Sequence, residues 1–175
     1  AQRIVPYVQD HKNALFFRPD TNHLPEKTVA TFQHAILRGI ETVYQLEEGE
    51  ILAEPLPSRS NRNGCLIYEA TEGGAGVLTR LVSEPDALAP DARPELQLLH
   101  FDIEAALPEE PSQLSDLPGT QCVAACYKCL MSYFNQPDHE LIDRRNEEVR
   151  ELLLRLAHST TNIVEQSTTS APTSQ

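Results

Sequence analysis

The stretch Cys122-Val123-Ala124-Ala125-Cys126-Tyr127-Lys128-Cys129 decides how the rest of the chain is read. Three of the four cysteines fall here, spaced Cys-x3-Cys-x2-Cys. Two thiols separated by two residues seldom form a structural disulfide, so a disulfide framework fits poorly. A turn presenting thiolates at that spacing lets both reach one tetrahedral Zn²⁺, at about 2.3 Å per sulfur. The run supplies three ligands, and structural zinc sites use four. Two residues compete for the fourth place. His139 follows the loop Asn135-Gln136-Pro137-Asp138, which can fold back, and is preferred. Cys65 lies in an apolar run and reads more simply as a core thiol. The plain alternative is three reduced thiols without a metal. A thioredoxin-like redox reading needs a βαβ context that the flanking sequence lacks.

Working outward, the C-terminal side continues from Arg144 to His158 as an amphipathic helix with Val149, Leu152, Leu153 and Leu156 on one face. Arg144 and Arg145 read as helix-start residues rather than DNA readers. Tyr127, Tyr133 and Phe134 are expected in the core around the knuckle, with base stacking as the alternative. From residue 158 to 175 the chain is mostly Ser, Thr, Gln and Ala, which predicts a disordered tail. On the N-terminal side, Leu107 to Gly119 reads as a solvated connector and His100 to Ile103 as a short strand. Asp86 to Leu99 reads as a helix interrupted by Pro90 and Pro94. Val77 to Val82 begins a helix, and Cys65 to Ala70 is a buried strand. Ile51 to Leu56 is another strand, with Pro57 to Gly64 as a polar turn carrying Arg59 and Arg62. Val29, Phe32, Ile36, Ile40 and Val43 recur at helical spacing behind the start signals Thr21, Asn22 and Pro25. Arg3 to Val8 and Ala14 to Arg18 suit two extended segments. The opening Ala1-Gln2-Arg3-Ile4-Val5 reads as the middle of a strand, so we expect a piece of a longer polypeptide.

Strands interleaved with helices predict an α/β or α+β class: a small mixed sheet packed with helices, plus a C-terminal zinc knuckle and helix. One domain is expected over residues 1–157, with the cysteine knuckle at 120–144. The chain of 175 residues is long enough for one real core. It has 14 basic against 26 acidic residues, a net charge of −12. That field repels a polyanion, so the isolated chain is expected to bind DNA weakly. No run of 18 apolar residues and no signal-peptide pattern occur, so a cytoplasmic location is expected.

Glu72-Gly73-Gly74-Ala75-Gly76 stands between a predicted strand and helix. Such a junction can offer backbone N–H groups to a phosphate, so Gly73, Gly74 and Gly76, with Arg59 and Arg62, are candidate phosphate contacts. The competing reading, preferred, is a tight turn with close helix-to-strand packing. Neither a Gly-x4-Gly-Lys-Ser/Thr loop nor an Asp-Glu-x-Asp/His stretch is present, so ATP hydrolysis has no machinery here. A hydrolase or nuclease built on Glu72 and Asp102, helped by Glu69 and Glu104, is the reading from another class. It would depend on Mg²⁺ or Mn²⁺.

Tyr68 to Leu78 and Cys122 to Arg144 together resemble the cysteine-rich zinc-binding C-terminal domain of MrfA-type superfamily 2 helicases, also found in the DrmB subunit of DISARM anti-phage defence. The resemblance covers roughly residues 60 to 157, and the first 50 more loosely. It implies a structural Zn²⁺ and an accessory role beside an ATP-dependent helicase motor, in the same chain or a separate subunit. It also implies work on DNA through that assembly, in DNA repair or defence. Where the family pattern has a further cysteine, near position 135, this chain has Asn135. The resemblance therefore leaves the fourth ligand to His139 or Cys65.

Overall fold

The structure, a computed structural model, describes residues 7, 9–19, 24–71, 73–84, 88–103 and 108–159, with the side chains of 88–92 left aside. Most of the Arg3–Val8 segment, the start signals Thr21 and Asn22, the carboxylates Glu72 and Glu104, and the tail beyond residue 159 lie outside the described residues. The described residues form an α+β arrangement of two small antiparallel sheets and four helices.

The first sheet has β3 (Asn61–Glu69) at its centre, with β1 (Ala14–Phe17) and β2 (Ile51–Ser58) on either edge. Both pairings are antiparallel, with Ala14 opposite Tyr68 and Ile51 opposite Glu69. The β2–β3 hairpin turns at Arg59-Ser60, a tighter turn than the Pro57–Gly64 loop read from the sequence. Its register shifts between Leu56 and Pro57. A bulge inserts one residue and changes which side chains face inward. Arg62 therefore comes from one phase of the strand, and Cys65, Ile67 and Glu69 from the other, yet all four are buried.

Helix α1 (Glu26–Val43) starts behind Pro25, whose fixed φ suits a helix entry, with Glu26 in the first turn. Its Phe32, Ala35, Ile36 and Ile40 pack on Ile51 and Ile67 of the sheet, within the main core. Two helices follow the sheet: α2 (Val77–Ser83) and α3 (Leu88–Leu98). The second is continuous rather than interrupted. Pro90 sits in its first turn, where an N–H is not required, and Pro94 removes a single internal bond. Full burial of Leu96 and Leu99 offsets that loss.

The predicted connector carries structure of its own. β4 (Phe101–Asp102) pairs with β5 (Ser115–Asp116), and Leu114 beside it is buried. Helix α4 (Glu147–Ala157) begins later than Arg144 because Asn146 is its cap, accepting from the Val149 amide at 3.2 Å. Asn146 also donates to the Thr28 hydroxyl, which donates in turn to Glu148. Those bonds fasten α4 to the start of α1.

A buried ion network joins the two halves of the fold. Asp138, in the turn Gln136–Asp138, accepts from Arg62 Nη2 at 2.6 Å and Arg59 Nη1 at 3.1 Å through one oxygen. Its other oxygen lies 2.9 Å from His34 Nε2. Burial alone pushes this carboxyl upward, but the bonds from His34 and Arg62 outweigh it and hold the group at about 2, against an ordinary 3.8. The Arg62 side chain is 1% exposed, and Asp138 is its closer and buried counter-charge, with the half-exposed Glu26 3.7 Å from Nε. Asp138→Asn should cost about 3–5 kcal/mol at neutral pH. The native carboxylate is depressed, so its stabilisation is present above about pH 4 and lost as pH falls toward 2. Urea unfolding of both proteins between pH 2 and 7 should show the gap narrowing on the acid side.

Candidate metal centre

The loop after β5 brings Cys122, Cys126 and Cys129 to the C-terminal end of α3. The Cys129 and Met131 amides both donate to the Cys126 carbonyl, closing the turn that makes the knuckle. The Cys126 amide donates to Cys129 Sγ at 3.2 Å. The fourth member of the group is His100. It follows the last residues of α3 with φ +64, a left-handed conformation usually left to Gly or Asn at a helix end. Its amide still bonds the Gln97 carbonyl, and its carbonyl accepts from Leu117. Ending the helix this way puts the imidazole on the knuckle, with Nε2 3.3 Å from Cys126 Sγ.

The distances test whether a metal fits. Cys122 and Cys129 sulfurs are 3.8 Å apart, and Cys126 and Cys129 sulfurs 3.6 Å. All four candidate ligand atoms lie within 4.8 Å of one another. A zinc tetrahedron with Zn–S of about 2.3 Å and Zn–N of about 2.0 Å has edges of about 3.8 Å between sulfurs and about 3.5 Å from sulfur to nitrogen. The cluster therefore has the size and the soft donor set of a structural zinc site. Burial opposes ionisation of Cys126, yet hydrogen bonds from His100 and the Lys128 amide bring its thiol down to about 6. Burial pushes Cys129 up to about 12 and raises Cys122 too.

Behind the cluster stands Arg144, whose side chain is wholly buried. Its Nε and Nη2 donate to the Cys122 carbonyl at 3.0 and 2.7 Å, and Nη1 donates to the Leu99 carbonyl at 3.1 Å. Nη1 also meets Asp116 at 2.7 Å, and Arg145 takes the second Asp116 oxygen. The guanidinium lies over the Phe101 ring at 5.2 Å. One side chain thus holds the residue before His100 and the first cysteine at fixed separation.

The other residues singled out by sequence stand elsewhere. His139 is not in the cluster. Its Nε2 lies 2.9 Å from Asn135 Oδ1 and 3.1 Å from the Ser132 carbonyl, where it braces the loop after the knuckle. Cys65 is buried on β3, and burial pushes its thiol up to about 12. Arg62 is consumed by Asp138, while Arg59 is about half exposed. In the glycine loop, the amides of Gly76 and Leu78 already donate to the Glu69 carboxylate at 3.1 and 3.0 Å. A Cβ on Gly74 would fall 1.4 Å from Glu69 Oε2, which explains the glycine there. The loop is thus built around the chain's own anion. Gly73 faces open space, with φ +78. Asp102 is on the exposed side of β4, and among the described residues no metal-ligating group includes it. Tyr127, Tyr133 and Phe134 are exposed by 64%, 75% and 56%, not core.

His100 and Arg144 escaped the sequence reading. The usable signal for His100 was a histidine at a helix end, a few residues beyond Pro94, where Gly or Asn is usual. For Arg144 there was none.

A family model described as the MrfA Zn-binding domain matches residues 32–130. No curated protein and no solved structure matches the chain. The match contains His100 and all three knuckle cysteines, whereas Arg144 falls beyond it. Replacing Arg144 by Met should weaken zinc binding about 10- to 100-fold, the usual effect of losing an outer partner of metal ligands. Competition against a chromophoric chelator would measure it, and Arg144→Lys should recover only part of the affinity, because an ammonium lacks the fork.

Proposed function

This chain belongs to the MrfA zinc-binding domain family, and from that membership we propose that it serves as a zinc-stabilised accessory domain of an ATP-dependent DNA helicase system. Zn²⁺ is its structural cofactor, as the family and the His/Cys₃ cluster together indicate. The ligands we assign are His100, Cys122, Cys126 and Cys129. The carrying observation is that one nitrogen and three sulfur ligand atoms all lie within 4.8 Å of one another. A thiolate-rich, four-donor set leaves no open coordination position, which suits a structural ion and not a hydrolytic one. When bound, the metal ties the C-terminal end of α3 to the knuckle and supplies folding free energy.

The domain then acts by docking on a superfamily 2 motor, in the same chain or a separate subunit, and by shaping the path of DNA that the motor holds. DNA repair and defence against foreign DNA are the settings that the family resemblance supports. The charge of −12 fits a module that meets DNA only within an assembly. Among the described residues no helix is long and apolar enough to cross a membrane.

Two measurements test this reading. His100→Ala should lose zinc at chelator concentrations that the native chain and His139→Ala withstand. The reverse order would return His139 to the ligand set. Removing residues 60–157 from the helicase assembly should lower DNA-stimulated ATP turnover or unwinding at least several-fold. Unchanged unwinding would refute the accessory role.

A further inference from the structure

The loop that follows the knuckle is braced by its own hydrogen bonds and yet presents aromatic rings to solvent. Asn135, itself buried, accepts from the Ser132 amide at 2.7 Å and donates to the Leu130 carbonyl at 2.7 Å. Its side-chain oxygen also contacts His139, and the Phe134 amide donates to the Ser132 hydroxyl at 3.0 Å. Held by these bonds, Tyr133 and Phe134 form an edge-to-face pair with centroids 6.0 Å apart. Their own burial cannot explain such a loop, since both rings are more than half exposed. Pre-ordered aromatics lose little conformational entropy on contact, which is the property of interface anchors.

The neighbouring turn fixes the chemistry of what they meet. Phe134 lies against Gly49, where a Cβ would stand 2.9 Å from its ring. Gly49 belongs to the segment Glu47-Glu48-Gly49-Glu50, whose three glutamates are exposed. Glu48 and Phe134 line one small cleft of 20 Å³, together with Arg38 and His34. Arg38 is already committed, to Glu41 at 2.8 Å and to the Cys129 carbonyl. His34 Nδ1 is buried there without a hydrogen-bond partner. Glu41 is paired with Arg38 and held above its ordinary range chiefly by burial, so the exposed Glu47, Glu48 and Glu50 give this face its negative charge.

We infer that Tyr133 and Phe134, with Glu47, Glu48 and Glu50, form the docking face for a protein surface that offers an apolar side chain flanked by Lys or Arg. The carboxylates repel a phosphate backbone, so the rings anchor protein rather than stack bases. This rests on the accessory reading above, and the partner surface lies on the helicase motor.

The test uses the zinc-loaded chain of residues 1–175 and the purified motor core of its helicase system, with a 20-nucleotide thymidine oligomer as the nucleic-acid probe. Native chain should bind the motor, and binding should weaken as salt rises. Phe134→Ser and Tyr133→Ser should each weaken it roughly tenfold or more, with zinc content and melting temperature unchanged for Tyr133→Ser, the more exposed ring. Glu47→Lys with Glu48→Lys should weaken it and flatten its salt dependence. Motor binding by both serine variants equal to native overturns the docking face but leaves the accessory role standing. Loss of oligomer binding in those variants, with motor binding intact, would assign the rings to nucleic acid instead. Failure of the native chain to bind the motor overturns both readings.

Discussion

The buried guanidinium of Arg144 is the interaction on which the C-terminal half depends. A charge with no exposed surface needs a full set of acceptors, and it finds them in two carbonyls and one carboxylate. Those carbonyls belong to Leu99 and Cys122, which flank the cluster from two distant parts of the chain. Satisfying the arginine therefore helps to hold His100 beside the knuckle. The charges also balance. Zinc with three thiolates and a neutral imidazole carries one negative charge. Arg144 and Arg145 against Asp116 leave one positive charge beside it.

Asp138 does the same for the other half of the fold. It neutralises Arg62 from the hairpin, touches His34 from α1 and sits in the turn after the knuckle. Zinc on one side and this ion network on the other hold residues 130–139 from both ends, which is why that loop can afford exposed rings. A buried ion pair is weak evidence for net stability, but removal of one member is strongly unfavourable. Asp138 thus fixes which surfaces meet more than it adds to their strength.

Much of the fold was legible, for identifiable reasons. The 3.6-residue recurrence from Val29 to Val43 and the leucines of α4 reflect one-sided burial, which periodicity records directly. The three knuckle cysteines announced a metal because thiolate spacing is a local property. The fourth member of the cluster was hidden because His100 is brought in by tertiary structure. Twenty-one residues lie between it and Cys122 in sequence, and the α3 end and the β4–β5 pairing close that gap. His139 was attractive by proximity, yet proximity took it to Asn135 instead. The continuous α3 was obscured by two prolines, whose cost is local while the compensating burial of Leu96 and Leu99 is not. Tyr133 and Phe134 were assigned to the core on hydrophobicity alone, which says nothing about the side of a loop from which a ring projects.

The glycine loop shows why a strand-glycine-helix junction is ambiguous between binding and folding. Its free amides need an anion in either case. Here Glu69, the last residue of β3, sits within reach of Gly76 and Leu78, and Gly74 leaves room for its carboxylate. The bonds lower the Glu69 carboxyl against the upward push of burial, so the amides are matched by a permanent negative charge. An incoming phosphate would have to expel that group from its hydrogen bonds and face its repulsion. The junction therefore works as a cap for α2, and the distinctive chemistry of this domain gathers elsewhere. There the thiolates, Arg144 and the exposed rings lie along a single stretch of chain, from Cys122 to Arg144.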